Sequence, residues 1–285
     1  MKTWSTPVVP EKKLLVPCTV CRGLLFKPCL LCEGFSYCRC TDCGLVQMNP
    51  QPLEEEVKHR YDSGNFGEDY LAYELANEEA FLKLQLLALE DAGFFELEKE
   101  YCDKKPKVLD IGCATGSLLV WLCERGWDST GVEICSPQAE YGRQKRNLDV
   151  RSLPLSENSF PGGHFDLVLA SHLIEHLNDP AGFVKEARRI LAPNGRFFVT
   201  TPNIDGFQAK FYKSRWRSAI FDHLYLFSAK TLSRLLTENG FVVEMISTWG
   251  GLAAGSAPLP LKRLFDKAAK RFGFGDVMIV RARIY

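Results

Sequence analysis

A short apolar run followed by small residues constrains the fold of this chain more than any other feature. Val108–Ile111 has the composition of a buried strand, and the loop from Gly112 to Gly116 follows it directly. Small residues let the backbone approach a ligand closely, and the helical stretch that comes next offers free N–H groups in its first turn. The pattern predicts a strand, a ligand-binding turn and a helix in direct succession.

Short apolar runs and helical stretches continue to alternate beyond this turn. The further candidate strands are Ser129–Val132, Phe165–Ala170, Arg196–Thr200, Phe241–Ser247 and Val277–Ile284. Helical stretches are expected at about 116–125, 136–146, 181–191 and 229–239, and a basic helix at about 261–271. The alternation predicts a parallel sheet with helices on both faces, and the last two strands are expected to form an antiparallel edge pair.

Composition and charge exclude several other classes of protein. With 285 residues, 46% hydrophobic and 25% charged, the chain is typical of a folded protein of about two domains. Thirty-five basic and thirty-five acidic residues leave no net charge, so binding to nucleic acid or anionic lipid would need a local patch. No run of about 18 apolar residues predicts a membrane span, and residues 1–17 lack the apolar stretch of a secretory signal. The expected location is the cytoplasm.

Seven of the eleven cysteines crowd into residues 18–43. Two CxxC pairs, separated by 18 residues, have the spacing of a four-thiolate zinc site: Cys18, Cys21, Cys40 and Cys43. Cys29 and Cys32 form a third CxxC pair, so a different pairing stays open, and an iron–sulfur cluster is the alternative occupant. We expect a structural zinc ion on the four outer cysteines.

Glu133 indicates what kind of ligand the glycine loop binds. It lies 23 positions after Asp110, at the end of the next candidate strand, where a carboxylate can accept both hydroxyls of a ribose. A dinucleotide GxGxxG pattern from Gly112 would need glycine at 114 and 117, whereas a GxGxG loop fails only at Ala114. A nucleoside-containing cofactor is predicted, and a tight turn without a ligand is the alternative.

Five segments in a fixed order carry a family resemblance. They are DIGCATG at 110–116, GVE at 131–133, FPGGHFDLV at 160–168, IEHLNDP at 174–180 and LAPNGR at 191–196. Together they resemble the successive motifs of class I S-adenosylmethionine-dependent methyltransferases, and most closely the group of the ubiquinone-biosynthesis O-methyltransferase. The likeness covers about residues 105–250 and departs at Ala114, where the group has glycine, and at Leu153–Pro154.

The resemblance implies a doubly wound, Rossmann-like α/β sheet of seven strands in the order 3-2-1-4-5-7-6, with the seventh strand antiparallel. It implies S-adenosyl-L-methionine as the cofactor, lying over the carboxyl ends of the first two strands. The cofactor-binding residues it implies are Asp110, Gly112, Cys113, Ala114, Gly116, Glu133, Leu155, Ala170 and His172. No Asn or Asp followed by Pro-Pro comes after the fourth strand, which argues against methylation of exocyclic base amines.

A histidine cluster follows the fourth candidate strand. His172, Glu175 and His176 form an HxxEH pattern, which on a helix would resemble a zinc-protease motif, but the surrounding motifs argue against that reading. In the related quinone O-methyltransferases the pattern is ExxEH and is associated with a divalent cation, so the histidine at 172 puts magnesium in doubt. The candidate general bases are His172, His176 and His223. Alternatively, Glu175 and His176 fix the loop by hydrogen bonds.

Seven of the 21 residues from Phe207 to Phe227 are aromatic, and four cations lie among them. This segment resembles the substrate-covering insert of the family, and His223 near its end is expected to face the methyl acceptor. Cations among aromatic rings suit an anionic, sugar-nucleotide or aromatic acceptor, and also single-stranded RNA. The alternative is a folded cap whose rings form its own core.

The sequence therefore divides into three parts. We expect a zinc-ribbon-like module at 1–50, a helical connector at 51–104, and a methyltransferase domain at 105–285 with a cap at about 205–228. The first part resembles the N-terminal zinc-binding module of sugar C-methyltransferases. A methyltransferase acting on a small molecule or a glycan is expected. The alternatives are an RNA methyltransferase, against which the zero net charge argues, and an inactive cofactor-binding interaction module.

Overall fold

The N-terminal segment folds into short antiparallel strands. The computed structural model describes residues 13–53, 66–101, 104–252, 255 and 257–284. The first strands are β1 (Lys13–Leu14), β2 (Phe26–Cys32), β3 (Phe35–Cys40), β4 (Val46–Met48) and β5 (Gln51–Pro52). β2, β3 and β4 are neighbours in one sheet, and β1 pairs with β5. Because Phe26 pairs with Cys40, the residues before β2 and after β3 meet at one end of this hairpin.

A seven-stranded mixed sheet forms the centre of the described structure. Its strands are β6 (Lys107–Ile111), β7 (Asp128–Val132), β8 (Asp149–Arg151), β9 (Phe165–Ser171), β10 (Leu191–Pro202), β12 (Phe241–Trp249) and β13 (Val277–Ile284). Counted along the chain, these strands lie in the order 3-2-1-4-5-7-6, and β13 is antiparallel to both of its neighbours. The remaining strand, β11 (Tyr225–Leu226), pairs with β4 of the N-terminal sheet.

Helices cover the central sheet. They are α1 (Phe66–Asp91), α2 (Phe94–Glu98), α3 (Ser117–Glu124), α4 (Ser136–Arg146), α5 (Pro180–Ile190), α6 (Phe207–Tyr212), α7 (Ala229–Glu238) and α8 (Leu259–Phe272). Local sequence fixes several ends. The Asp179 side chain accepts from the backbone N–H of Gly182 at the start of α5, and Ser228 and Thr231 form a reciprocal capping box at the start of α7. Gly273, with φ 73°, ends α8 in a left-handed conformation.

The expected α/β fold with a seven-stranded mixed sheet is confirmed, with differences in detail. β8 was not among the candidate strands, because three residues are too few to show a periodic pattern. β10 begins at Leu191 rather than at Arg196, with an irregularity in its pairing to β9 between these two residues. Among the described residues, no helix has the length and apolar character needed to cross a bilayer.

Buried side chains of the N-terminal and central sheets belong to one hydrophobic core. Tyr37 and Val46 of the N-terminal sheet lie in the same cluster as Val168 and Val199 of β9 and β10, and all four are fully buried. A second cluster packs around Phe94 on the other side, beneath the end of α1. The N-terminal sheet is therefore packed against the rest of the protein by a continuous apolar contact.

Candidate active site

Two carboxylates and a glycine loop meet at the carboxyl edge of the central sheet. β6 and β7 are adjacent and parallel, so Asp110 on β6 and Glu133 just after β7 lie at the same edge. Gly112 and Gly116 have φ angles of 76° and 81°, in the left-handed region that glycine adopts without steric cost. The backbone N–H of Gly112 donates to the carbonyl oxygen of Val132 at 2.8 Å and ties the loop to β7.

The buried carboxyl group of Asp110 can accept a further hydrogen bond. It is 2% exposed, and its Oδ2 has no partner among the described residues. Burial, with the nearby charge of Glu133, raises the pKa of Asp110 to about 7. A small pocket lies between α1 and the sheet, and Asp110 is its only charged lining residue. The pocket is lined by Gln85, Ala88, Leu89, Asp110, Leu118, Leu169, Ala170, Ser171, Phe198, Thr200 and Ile279.

Glu133 braces the glycine loop. Its carboxylate accepts hydrogen bonds from the backbone N–H groups of Ala114, at 3.0 Å, and Cys135, at 2.8 Å. Burial raises the pKa of Glu133, and this effect is larger than the lowering of the pKa by these hydrogen bonds. Each carboxylate oxygen keeps a second lone pair, so further donors such as ribose hydroxyls remain acceptable. Ala114 has φ 51°, which explains why related loops carry glycine here.

A third carboxylate, Glu74 of α1, was missed by the sequence analysis. Its Oε1 accepts from the backbone N–H and the hydroxyl of Thr115, at 2.9 and 2.8 Å, while its Oε2 has no partner among the described residues. Burial raises the pKa of Glu74. Nothing in the sequence distinguishes it from Glu68 or Glu78 on the same acidic helix, because only tertiary packing brings α1 over the loop.

The other predicted cofactor residues lie at the same edge or close to it. Cys113 is in the loop and is buried, and Ala170 is opposite Ile111 in the β6–β9 pairing and lines the pocket beside Asp110. Leu155 is a buried residue in the short turn after β8, which is the neighbour of β7. These placements are compatible with the predicted roles.

The HxxEH segment does not lie on an α-helix. His172 directly follows β9, has φ 52°, and donates its backbone N–H to the carbonyl oxygen of Thr200 at 2.8 Å. Ile174–His176 forms a single turn of 3-10 helix. The segment therefore lacks the geometry of a zinc-protease helix, and it places His172 at the same carboxyl edge as Asp110.

Glu175 is a fully buried carboxylate at the centre of the histidine cluster. Its Oε1 lies 3.3 Å from Nδ1 of His172, and its Oε2 accepts from the hydroxyl of Thr201 at 2.9 Å. Burial raises its pKa, but the hydrogen bond to His172 and the charges of His172, His176 and His223 outweigh burial and lower the pKa to about 2. Glu175 is therefore ionised at neutral pH and polarises the His172 ring.

His176 and His223 are held by backbone carbonyls. Nδ1 of His223 donates to the carbonyl oxygen of Ser218 at 2.8 Å, and Nδ1 of His176 donates to that of Asp222 at 2.9 Å. A carbonyl only accepts, so Nδ1 carries a proton in both rings. Burial, together with the neighbouring His176, lowers the pKa of His223 to about 4. His223 is neutral at pH 7, but this pKa makes it a weak base.

The donor set of this cluster does not fit magnesium. Glu175, His176 and His223 each offer one ligand atom, and these atoms lie within 4.8 Å of one another. Magnesium prefers oxygen ligands, whereas two of these three donors are imidazole nitrogens.

Comparison with known families decides the assignment. The family model described as "Methyltransferase domain" matches residues 79–246, which is more than half of the chain and includes the glycine loop, the HxxEH segment and the aromatic segment. The chain belongs to this methyltransferase family. Residues 79–246 therefore form a methyltransferase domain.

Similar proteins agree with the assignment. The methyltransferase is 32% identical over 104 residues to the ubiquinone biosynthesis O-methyltransferase of Acinetobacter baumannii, covering 34% of this chain and 44% of the relative. It is 30% identical over 172 residues to a probable chloroplastic tocopherol O-methyltransferase of Oryza sativa, covering 53% and 48%. It therefore spans about half the length of the curated relatives it matches.

A solved structure shows the same fold. It is an S-adenosylmethionine-dependent methyltransferase of Thermotoga maritima, described as a possible histamine N-methyltransferase. The TM-score is 0.55 at 21% identity, and the match covers 80% of this chain and 99% of that chain. At this identity the likeness concerns the fold alone.

The methyltransferase brings its four outer cysteines together at the end of the β2–β3 hairpin. The Sγ atoms of Cys18 and Cys43 are 3.4 Å apart, as are those of Cys21 and Cys40, and all four lie within 4.8 Å. Tetrahedral zinc with four thiolates requires sulfur separations of about 3.8 Å. Burial raises the pKa of Cys40, but hydrogen bonds from the backbone N–H groups of Cys43 and Asp42 outweigh it and lower the pKa.

The third CxxC pair lies elsewhere. Sγ of Cys29 donates to the carbonyl oxygen of Tyr37, and Sγ of Cys32 donates to that of Ser214. Neither belongs to the four-cysteine cluster, so the outer pairing is the one that the fold brings together.

The N-terminal sheet of the methyltransferase supports the aromatic segment 207–227. β4 pairs with β11, and the hydroxyl of Tyr37 lies 2.7 Å from the carbonyl oxygen of Ile220 and 2.8 Å from that of His223. Trp216, Phe221, Tyr225 and Phe227 are buried. In contrast, Phe211 is 67% exposed. Most rings therefore form a folded core, and the rest stay at the surface.

Backbone hydrogen bonds connect the same sheet to the histidine cluster. The N–H of Met48, at the end of β4, donates to the carbonyl oxygen of Leu224, and the N–H of Leu224 donates to that of Glu175, both at 2.8 Å. The position of Glu175 therefore depends on a strand that is anchored next to the four cysteines.

Proposed function

We propose that this methyltransferase transfers a methyl group to an oxygen atom of a small-molecule acceptor. The observation that carries the proposal is a row of polar side chains along one edge of the sheet. It runs from Glu133 and Asp110 to the His172–Glu175 pair. Glu133 and Asp110 are suited to bind a cofactor, and His172 with Glu175 is suited to remove a proton from an acceptor beside it.

Asp110, Glu133 and the loop between Gly112 and Gly116 would hold S-adenosylmethionine. The unpartnered Oδ2 of Asp110 fits an ammonium donor, and the carboxylate of Glu133 fits ribose hydroxyls. Cys113, Ala114, Leu155 and Ala170 would complete the contacts. When bound, the cofactor supplies an electrophilic methyl group attached to a positively charged sulfur.

His172 is the general base in this proposal. Its Nδ1 faces the ionised Glu175, so Nδ1 carries the proton and Nε2 is free to accept one from the acceptor hydroxyl. Glu175 then stabilises the imidazolium that forms, without taking the proton itself. His176 and His223 lie beside Glu175, and orientation of the acceptor supplies much of the rate enhancement.

The proposed class of methyl acceptor is supported by the curated relatives and by the net charge of the chain. Both curated relatives are described as O-methyltransferases, acting in ubiquinone biosynthesis and on tocopherol. The zero net charge of the chain does not favour RNA, whose phosphates require a positive surface. An RNA or glycan acceptor is an outcome that the experiment distinguishes.

Zinc is the metal that we propose for the four cysteines. The sulfur separations, from 3.4 Å to at most 4.8 Å, bracket the value of about 3.8 Å that a tetrahedral site requires. The left-handed φ of 84° at Gly44 shapes the turn that carries Cys43. The ion would be structural, because four protein ligands leave no open position for a substrate.

The cofactor assignment is tested by the Glu133→Ala variant in calorimetry with S-adenosylmethionine. Charge-assisted hydrogen bonds contribute about 1.5 to 3 kcal/mol, so the affinity should fall by roughly tenfold to a hundredfold. Glu157→Ala, an exposed carboxylate just beyond β8, is the matched control and should bind as the parent does. Equal affinity in Glu133→Ala would remove the residue from the cofactor site.

The acceptor class is tested by measuring S-adenosylhomocysteine release with panels of phenols, glycans and RNA. Turnover with phenols or other small hydroxyl compounds supports the proposal. Turnover with RNA alone contradicts it.

A further inference from the structure

The basic helix α8 is attached to the protein by only part of its circumference. Ala269 is fully buried, and its carbonyl oxygen accepts from the hydroxyl of Thr248 on β12 at 2.9 Å. Asp266 accepts from the backbone N–H of Gly251 at 2.9 Å, and the ring of Phe265 lies 5.0 Å from that of Phe207. These contacts, together with the ion pair between Lys270 and Asp91 of α1, anchor the helix.

A stripe of large apolar side chains lies outside that anchored face. Leu261 is 52% exposed, Leu264 66% and Phe272 71%. With 3.6 residues per turn, positions 261, 264, 268 and 272 fall along one side of the helix. Phe211 of α6 is also exposed, and it is connected to α8 through Phe207, whose ring contacts Phe265.

Cations run parallel to this stripe. Arg263, Lys267 and Arg271 are exposed and four residues apart, and none of them forms an ion pair with a described residue. The guanidinium of Arg271 lies 5.9 Å from the ring centre of Phe272. The single acidic residue of the helix, Asp266, is paired with Lys262. Within the described part of the chain, an exposed row of cations without ion pairs therefore lies beside an exposed apolar row. It is a local positive patch on a chain of zero net charge.

We propose that this surface, the α8 face, docks the protein on a membrane that contains anionic lipids. We define the α8 face by Phe211, Leu261, Arg263, Leu264, Lys267, Arg271 and Phe272. A helix lying in the bilayer interface needs an apolar stripe for the acyl chains and cations for the headgroups, and α8 offers both. Nucleic acid would match the cations but leave the leucines in water. The proposal does not depend on the identity of the methyl acceptor.

Flotation with phospholipid vesicles tests the proposal. The full chain should float with vesicles of phosphatidylcholine and phosphatidylglycerol, bind vesicles of phosphatidylcholine alone much more weakly, and lose binding in high salt. Each cation near an anionic surface contributes about fivefold, so Arg263→Gln with Lys267→Gln should weaken partitioning by about 25-fold. Leu264→Ser with Phe272→Ser should weaken it by about tenfold or more.

Matched variants separate the α8 face from general surface effects. Leu84→Ser with Leu87→Ser removes two half-exposed leucines of α1, and Lys83→Gln with Lys145→Gln removes two exposed cations elsewhere. Both should float as the parent does, and unchanged thermal unfolding of every variant excludes misfolding. No flotation of the parent, or equal flotation of the α8 variants, overturns the proposal. A stable dimer that the leucine variant dissolves would assign the face to a second copy of the chain and overturn it as well.

Discussion

At the scale of single residues, His172 and His164 provide a matched pair. They stand at opposite ends of β9, one beside Glu175 and the other beside Lys107. General-base catalysis contributes about a hundredfold or more, so His172→Ala should lower turnover by that factor while S-adenosylmethionine affinity stays within about threefold. His164→Ala should change neither quantity by more than about threefold.

The same measurement on His223→Ala separates two of the three candidate bases, His172 and His223. Burial holds the pKa of His223 at about 4, so the ring is neutral at all pH values above that and loses its neutral form only below it. We expect a smaller loss of turnover than in His172→Ala. If His223→Ala costs a hundredfold and His172→Ala costs nothing, the roles assigned to the two rings must be exchanged.

At the scale of elements, the four cysteines stabilise the position of Glu175 through β4 and β11. Cys40→Ser should release zinc and loosen β4, and with it the Met48–Leu224–Glu175 chain of backbone hydrogen bonds. Turnover should fall by at least about tenfold, because the base loses its orienting carboxylate, while the cofactor loop on β6 and β7 keeps its affinity. Elemental analysis, turnover and calorimetry measure the three quantities.

Cys29→Ser is the control for this element. Its thiol lies outside the cluster, so zinc content and turnover should match those of the parent. Loss of zinc from Cys29→Ser with retention in Cys40→Ser would contradict the pairing.

At the scale of the whole molecule, the shared core predicts a single unfolding transition. Tyr37 and Val46 of the N-terminal sheet are buried in the same cluster as the strands of the central sheet, so neither part can unfold without exposing apolar surface of the other. Zinc release followed with a coloured chelator and loss of the far-ultraviolet circular dichroism signal should coincide on heating. Zinc release well below the main transition would show that the N-terminal sheet is an independent unit.

The sequence by itself determined the features that depend on neighbouring residues. The glycine loop, the strand before it and the position of Glu133 follow from local pattern, because steric freedom, periodicity and spacing along adjacent parallel strands are written in short segments. The outer cysteine pairing also followed from spacing and agrees with the cluster that the fold assembles.

Only the tertiary structure decided which distant groups meet. Glu74 reaches the glycine loop, and Tyr37 reaches the carbonyl oxygen of His223 across 186 positions of the chain, by contacts that no local pattern encodes. The sequence also did not reveal the pKa of His223, because burial sets this pKa and burial depends on how the cap packs. Side-chain chemistry is local, whereas desolvation and long-range hydrogen bonds are properties of the packed molecule. They give different surroundings to the histidines that the sequence could only group together.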